Sequence, residues 1–298
     1  MGVERILVTL DALDGDSHDA LFHVDARAAR ARARRTGGRT AQIHVHGIMG
    51  NFLVGTLRFL PGPYARAGLP MLVVETRMAN VGQLFGTAIP EDALLDLDAA
   101  VAWLADEGYD DLVISGYSSG ATLAVRFAAS RQLRNLKAVV LYGAPWGLPQ
   151  SAEKRCRQWG SEPSYDEVAA TVRREVSGDP DARSPDRLFT IVRSRGPTRR
   201  PEDSEVYTWR TWWHSRGPNA VGVMTFRQIG RITAPILLVQ GTADPVVAPV
   251  EAEQLARVAR AAGNSDVEVA WIEGADHFFR GREFDVTTTV VRWLNRWV

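Results

Sequence analysis

The stretch DLVISGYSSGA, residues 111–121, joins an apolar run to a Gly-x-Ser-x-Gly pattern. Its first part, Asp111–Ser115, has the apolar composition of a strand that is covered on both faces. The pattern Gly116–Gly120 comes next, and the helical stretch Ala121–Ser130 follows it directly. A strand, a sharp turn and a helix in this order lift a serine to the edge of a sheet, with glycines where strand and helix approach closely. This setting predicts that Ser118 is a nucleophile.

Strand-like runs and helical patterns alternate on both sides of this stretch. The predicted strands are Ile6–Leu10 and Leu21–Val24, which form a leading hairpin, followed by Ala41–Val45, Met71–Glu75, Asp111–Ser115, Ala138–Tyr142, Ile236–Gln240 and Val267–Ile272. The predicted helices are Glu91–Glu107, Ala121–Ser130, Val250–Ala262 and Thr287–Trp297. Strands that alternate with helices indicate βαβ units. The fold class predicted is therefore α/β, as a three-layer sandwich with a mostly parallel sheet.

One region breaks this alternation. Residues 146–231 are rich in Arg, Pro and Trp, and they separate two strands that should be neighbours in the sheet. We interpret this region as an inserted cap, or lid, over a core made of residues 1–145 and 232–298. The short Ala/Arg run at 26–35 is predicted to be a solvated surface segment rather than an anion site.

The composition excludes several classes of protein. The 298 residues carry a formal net charge of zero, which argues against a surface for nucleic acid. The N-terminal stretch has acidic residues where a signal peptide needs apolar ones, and no run reaches the ~18 apolar residues of a membrane span. Cys156 is the only cysteine, so one chain forms no internal disulfide. We expect a soluble cytoplasmic protein; the sequence predicts no oligomeric state.

A serine hydroxyl needs a base that removes its proton, and histidine is the usual one. Among the six histidines, only His277 lies in a loop after a late predicted strand, Val267–Ile272. The base in turn needs an acid to orient it. Asp244 projects from the end of the strand Ile236–Gln240, whereas the rival Asp276 is adjacent to the histidine and poorly placed to face it. We therefore predict that Asp244 orients His277.

Backbone N–H groups are expected to stabilise the negative charge that develops on the carbonyl oxygen. One should come from Ser119, directly after the nucleophile. The other should come from the loop after the strand Ala41–Val45, where Ile48 is the first choice and Met49 the fallback. His46 opens this loop and is predicted to be a buried histidine that supports it.

These pieces together resemble the α/β-hydrolase superfamily, and within it the soluble esterases and acyl-peptidase-like enzymes. The resemblance rests on four segments between about residue 41 and the C-terminus: the His46-Gly47 loop, the Gly116–Gly120 elbow, the Gly241–Asp244 turn and the Gly274–His277 loop. The loop of residues 46–51 is similar to the HGxxGN loop of small carboxylic-ester hydrolases, which include cinnamoyl and feruloyl esterases. In that family the residue after His-Gly and the residue after the nucleophile supply the oxyanion N–H groups, here Ile48 and Ser119.

The resemblance also implies an eight-stranded sheet with an antiparallel start and a variable cap between the sixth and seventh strands. The chain departs from the family after the strand Met71–Glu75, where it has residues 77–82, RMANVG, and many relatives have Arg-Gly-x-Gly. Two-step acyl transfer by a serine requires no metal or organic cofactor. No cysteine/histidine spacing indicates zinc.

The predicted substrate is a small, hydrophobic ester or thioester. Candidate pocket residues are Met49, Tyr117, Trp146, Trp209, Trp212 and Trp213, although tryptophans of an insertion more often pack it onto the core. Arg199 and Arg200 are expected in a solvated loop rather than on an acidic substrate.

Three functions fit the sequence. The first is hydrolysis of an ester, thioester or amide through an acyl-enzyme. The second is a biosynthetic reaction by the same triad: acyl transfer, cyclisation, carbon–carbon cleavage or elimination. The third is a catalytically silent ligand-binding protein with this fold, because one architecture hosts many chemistries.

Overall fold

The computed structural model describes residues 2–47, 50–53, 55, 57–79, 86–131, 133–176, 186–194 and 204–298. The strands in these ranges are β1 Glu4–Asp11, β2 Ser17–Val24, β3 Thr40–Val45, β4 Met71–Val74, β5 Asp111–Tyr117, β6 Leu136–Tyr142, β7 Ser161–Glu162, β8 Leu188–Arg193, β9 Glu205–Thr208, β10 Ile236–Gly241 and β11 Val267–Ile272. The helices are α1 Ala26–Thr36, α2 Pro61–Arg66, α3 Ala93–Asp106, α4 Ser119–Arg131, α5 Leu148–Trp159, α6 Tyr165–Glu175, α7 Trp209–Arg216, α8 Thr225–Gln228, α9 Pro249–Ala261 and α10 Glu283–Leu294.

Eight strands form one sheet in the order β1-β2-β4-β3-β5-β6-β10-β11. β2 pairs antiparallel with β1 and β4, and the remaining pairs are parallel. This confirms the predicted fold class, with its mostly parallel sheet and antiparallel start. β6 and β10 are neighbours although the region from 146 to 231 lies between them in the chain. The carboxyl ends of the parallel strands therefore meet at one edge, where ligands of open α/β sheets bind.

Helices cover both faces of the sheet because side chains alternate along each strand. On β4, Leu72 and Val74 enter the core that also contains Leu97 of α3. Met71 and Val73 enter the core on the opposite face, together with residues of α2 and α10. Every side chain of this strand is buried, which is the reason for its uninterrupted apolar run.

The basic run at 26–35 forms helix α1, and its predicted solvation is only partly right. Arg32 is buried, and its guanidinium donates hydrogen bonds to Asn295 Oδ1 (2.9 Å) and to the carbonyl of Val298 (2.5 Å). The other arginines of the helix lie at the surface. The reason is helical periodicity, which turns one arginine of the run toward the protein while its neighbours face solvent.

The insertion has a small apolar core of its own. Strands β7, β8 and β9 form an antiparallel sheet, and helices α5, α6 and α7 supply most of the core side chains, which include Cys156, Val168, Val172 and Trp212. The last part of the insertion packs differently. Thr225 of α8 hydrogen bonds to Thr122 of α4 (2.9 Å), and Ile229 is part of the main core. The separately packed unit is therefore residues 148–216.

Buried histidines make the stability of the fold sensitive to acid. Burial, with a smaller contribution from Arg5, lowers the pKa of His23 to about 4, and burial lowers that of His44 to about 3. An unfolded histidine binds its proton near pH 6.5, so the unfolded state takes up protons that the folded state refuses. Above that pH, we expect these histidines not to reduce the free energy of unfolding. As the pH is lowered further, the free energy of unfolding should decrease by about 1.4 kcal/mol per pH unit for each such histidine.

The variant His23→Leu tests this pH dependence. It removes a side chain whose Nδ1 is buried without a hydrogen-bond partner, and it should flatten the fall in stability between about pH 6 and 4.5 by one histidine's contribution. Urea unfolding at a series of pH values measures the slope. An unchanged slope in the variant would show that His23 is protonated in the folded state.

Candidate active site

The predicted elbow places Ser118 at the carboxyl end of β5 with a left-handed backbone, φ 54°. That conformation is uncommon for a residue other than glycine and is found where surrounding structure imposes it. A Cβ on Gly116 would lie 2.2 Å from the carbonyl oxygen of Gly120, and one on Gly120 would lie 2.2 Å from that of His46. Only glycine fits at either position, so this part of the pattern is required by the close approach of strand, helix and loop.

The structure brings Ser118, His277 and Asp244 together in one hydrogen-bonded series. His277 Nε2 lies 3.2 Å from Ser118 Oγ, and His277 Nδ1 lies 2.7 Å from Asp244 Oδ2. A carboxylate oxygen only accepts hydrogen bonds, so Nδ1 carries the proton and the Nε2 lone pair faces the serine hydroxyl. His277 and Asp244 are buried, whereas Ser118 is partly exposed. The arrangement can remove a proton from Ser118 and stabilise the resulting imidazolium.

The carboxylate of Asp244 is fixed by more contacts than the sequence indicated. Its Oδ1 accepts the backbone N–H groups of Val246 (2.8 Å) and Val247 (2.9 Å). Its Oδ2 accepts a hydrogen bond from the side-chain amide of Gln240 (3.1 Å) in addition to that from His277. The sequence contained a signal that could have identified Gln240, because it is a polar residue near the end of the otherwise apolar, buried strand β10. The rival Asp276 accepts instead from the backbone N–H groups of Phe278 and Arg280.

Two further residues position His277. The hydroxyl of Tyr117 donates to the carbonyl of His277 (3.1 Å), and the two ring centroids are 5.1 Å apart. Gly143 has φ 52°, and a Cβ there would lie 3.0 Å from His277 Cε1. Tyr117 also lines a cavity on the side of the loop of residues 50–62. Tyr117 was predicted from the sequence to line the substrate pocket. The structure shows in addition that it contacts His277.

One predicted oxyanion donor lies at the site, and the other lies outside the described residues. Ser119 begins helix α4, where the first N–H groups have no acceptor within the helix. Ile48 and its alternative Met49 are outside the described residues. His46, which precedes them, is buried and has its pKa lowered by burial. Its Nδ1–H donates to the carbonyl of Gly47 (2.8 Å) and its Nε2 accepts from Thr76 Oγ1–H (3.1 Å), as expected of a residue that supports this loop.

Residues 43–285 match the model of the alpha/beta hydrolase family, which is most of the chain. The chain belongs to that family. The match contains the elbow, the turn after β10 and the loop with His277. No curated protein matches the sequence significantly.

Solved structures with the same fold align with nearly the whole length of this α/β hydrolase. An esterase from Pyrococcus furiosus, Pf2001, aligns with 17% identity and a TM-score of 0.66 over 99% of this chain and 91% of its own. Est1E from Butyrivibrio proteoclasticus aligns with 14% identity and a TM-score of 0.64 over 98% of each chain. DcsB, in complex with its substrate analogue, aligns with 14% identity and a TM-score of 0.73 over 99% of this chain and 100% of its own. At these identities the likeness shows the fold.

A cavity of this α/β hydrolase opens between the carboxyl edge of the sheet and the insertion. The sheet side contributes Gly47, Thr76, Met78, Ser119 and Leu123, and the insertion contributes Leu148, Glu205, Val206, Tyr207, Thr211 and Arg216. Most of these walls are apolar, and Ser119 places the cavity directly beside Ser118. It is the space next to Ser118 that an acyl group could occupy.

The structure does not bring the predicted tryptophans to the described walls of this cavity. Trp212 is fully buried in the core of the insertion. Trp209 stacks on Phe189 with ring centroids 3.9 Å apart, and Trp213 packs against the same core. Trp146 stacks on Phe226 and lines a shallow depression on α9. These positions favour the packing interpretation. Arg199, Arg200 and residues 80–82 lie outside the described residues.

A buried ion pair closes one side of the cavity. Arg77, which also lines it, donates to the fully buried Asp96 from its backbone N (2.7 Å), Nε (2.9 Å) and Nη2 (2.7 Å). Its Nη1 donates to Asp14 (2.6 Å). Asp96 lies on α3 among buried apolar side chains, which include Leu94 and Leu97.

Replacing Asp96 with alanine is expected to lower the free energy of unfolding by about 3–5 kcal/mol, because it leaves a buried guanidinium short of its main partner. The matched control is Asp98→Ala on the same helix, whose carboxylate pairs with Arg131 near the surface (2.6 Å). Loss of this partly exposed pair should cost about 1 kcal/mol or less. Guanidinium unfolding of both variants measures the difference; equal costs would contradict the role assigned to Asp96.

None of the helices in the described part of the chain is long and apolar enough to cross a membrane. Within the same ranges, no cluster of three or more His, Cys, Asp or Glu side chains could hold a metal ion.

Proposed function

We propose that this protein is a serine hydrolase that cleaves an ester or thioester, or an amide, of a hydrophobic acyl or aryl substrate through an acyl-enzyme intermediate. The observation that carries the proposal is the series Asp244–His277–Ser118, with hydrogen-bond distances of 2.7 and 3.2 Å. The strained backbone of Ser118 and the apolar cavity beside Ser119 support it. So does the fold shared with proteins named as esterases, one of them described with ferulic acid bound.

In the first step, Ser118 Oγ attacks the carbonyl carbon while His277 Nε2 takes the hydroxyl proton. The positive charge that forms on the imidazole is stabilised by the Asp244 carboxylate, 2.7 Å from Nδ1. The carbonyl oxygen becomes negative and is placed to accept a hydrogen bond from the N–H of Ser119, with the residue at position 48 proposed as the second donor. When the tetrahedral intermediate collapses, the bond to the leaving group breaks and His277 donates its proton to that group.

In the second step, a water molecule replaces the leaving group. His277 Nε2 takes a proton from the water as its oxygen attacks the acyl carbon, and it returns that proton to Ser118 Oγ when the ester bond to the serine breaks. The products are a carboxylic acid and free enzyme. We propose that the insertion acts as a cap, because Val206, Tyr207 and Thr211 cover the cavity on the side opposite the sheet.

Heavy-oxygen water tests whether the reaction is hydrolysis. Aryl esters and thioesters of graded acyl length are incubated with the protein in labelled water, and the products are analysed by mass spectrometry. We expect turnover with one heavy oxygen in the released acid. Turnover without incorporation would instead indicate acyl transfer, cyclisation or elimination by the same residues. Tight binding without turnover, unaffected by Ser118→Ala, would indicate a ligand-binding protein.

A further inference from the structure

The insertion contains a buried cluster of charged side chains. Three guanidinium groups, those of Arg155, Arg193 and Arg216, act on the carboxylate of Glu205. Arg193, Glu205 and Arg216 are 5%, 3% and 3% exposed. Buried charges are costly unless they are paired, so the partners of each guanidinium decide whether it can bind an additional anion.

The carboxylate of Glu205 is held by two of the three arginines and by a tyrosine. Oε1 accepts from Arg155 Nη1 at 3.2 Å and from Arg193 Nη2 at 2.8 Å. Oε2 accepts the hydroxyl of Tyr207. Burial alone would raise the pKa of Glu205, but Arg193, Arg155 and Arg216 together hold it well below its usual range, so the group is ionised. The described contacts place Arg155 and Arg193, but not Arg216, within ion-pair distance of this carboxylate.

Arg216 is the member of the cluster without a carboxylate of its own. Its Nε–H donates to the hydroxyl of Tyr207 and its Nη1–H to the carbonyl of Ser215, each at 3.2 Å. Among the described residues, no carboxylate lies within ion-pair distance of Arg216 and no acceptor bonds to its Nη2. The same side chain lines the cavity that reaches Gly47 and Ser119. An unpaired, buried guanidinium therefore faces the space next to the nucleophile.

We propose that Arg216 binds a carboxylate at the end of the substrate remote from the scissile bond. This rests on the proposed function and narrows its substrate to a half-ester or half-thioester of a dicarboxylic acid, or an ester whose alcohol part carries the acid. A carboxylate brings one negative charge, which matches one unpaired guanidinium, and it accepts the two N–H bonds that an arginine presents in a plane. The apolar walls between Ser119 and Arg216, formed by Met78, Leu123 and Val206 among others, suit a chain of methylene groups.

The proposal is tested with pairs of aryl esters that differ only in their far end. One member of each pair carries a free carboxylate and the other its methyl ester, with chains of graded length and with the acid on the acyl or on the alcohol side. The readout is the ratio of kcat/KM for the charged over the neutral ester, so a general loss of activity cancels. For the chain length and position that fit, we expect a ratio of at least about ten, equivalent to about 1.4 kcal/mol.

Two variants test whether Arg216 causes this preference for the charged ester. Arg216→Met should reduce it at least tenfold, and Arg216→Lys should retain part of it because the charge remains. Arg173→Met, which removes a charge from the exposed surface of α6, is the matched control and should keep the wild-type ratio. A ratio of one or less for every wild-type pair, or a ratio that survives Arg216→Met, would overturn the proposal. If Arg216→Met does not fold, Arg216→Lys and inhibition of the wild type by free dicarboxylates, compared with their monomethyl esters, decide in its place.

Calorimetric binding to Ser118→Ala separates this proposal from the proposed function. Binding of a half-ester to Ser118→Ala that is lost on adding Arg216→Met, with no turnover by the wild type, would keep the carboxylate site and reject the hydrolase. Turnover of neutral esters without any preference for the acid would keep the hydrolase and reject the carboxylate site. Tighter binding of a phosphate monoester than of any carboxylate would also reject it.

Discussion

Replacing Ser118 with alanine is expected to lower kcat for ester hydrolysis by about a million-fold and to abolish covalent labelling by a fluorophosphonate. The physical reason is that Oγ is the proposed atom that bonds to the acyl carbon. Among the described residues, it is also the hydroxyl that contacts His277 Nε2, 3.2 Å away. The fold should tolerate the change, because Ser118 is partly exposed and alanine keeps its Cβ. Intact-mass spectrometry of the wild type should show one adduct, and that of the variant none.

A second serine on the following helix serves as the control for Ser118→Ala. Ser130 lies at the exposed end of α4, where its hydroxyl donates to the carbonyl of Phe127, and Ser130→Ala should be labelled like the wild type. An adduct that persists in Ser118→Ala would mean that another nucleophile reacts. No adduct on the folded wild type would mean that the serine is not activated, and hydrolysis would then lose its main support.

Much of the fold could be predicted because parallel strands leave a strong signal. β4, β6 and β10 are covered on both faces over most of their length, and each contains a short apolar run in the sequence. The elbow was equally visible because sterics permit only glycine at positions 116 and 120. Ser118, Asp244 and His277 follow the ends of β5, β10 and β11, so predicting these strands was sufficient to predict which side chains meet.

The rest of the site depends on contacts that a sequence pattern does not contain. Gln240 and Asp96 are buried polar residues with apolar neighbours. The sequence pattern does not show that Gln240 bonds to Asp244, or that Asp96 bonds to Arg77 in another part of the chain. The pocket residues were harder to predict from the sequence for a related reason. Trp212 and Arg216 are on the same short helix, yet the tryptophan faces the core of the insertion and the arginine faces the cavity. Residue type favoured the opposite assignment, and only packing decides it.

The variant Asp244→Asn should lower kcat by about ten thousand-fold while leaving the fold intact. Asparagine keeps the shape of the side chain, and its oxygen can still accept the N–H groups of Val246 and Val247. Its NH₂ group would then occupy the position of Oδ2, facing His277 Nδ1, and that position needs an acceptor. His277 would turn to the tautomer that carries its proton on Nε2, which cannot take the proton of Ser118. Steady-state kinetics on the ester that the wild type hydrolyses best measures the loss.

Asp276→Asn is the matched control, because it makes the same chemical change next to His277 in sequence. In the described part of the chain, the Asp276 carboxylate accepts backbone N–H groups of its own loop, from Phe278 at 2.9 Å and Arg280 at 3.3 Å. An asparagine oxygen can accept both. We expect its kcat to stay within about threefold of the wild type, since a surface change away from buried partners has small effects. The contrast separates the two carboxylates that the sequence left as rivals. If Asp276→Asn lost as much activity as Asp244→Asn, the acid that orients His277 would be shared between them, and the geometry at Asp244 Oδ2 would not be the reason for the loss.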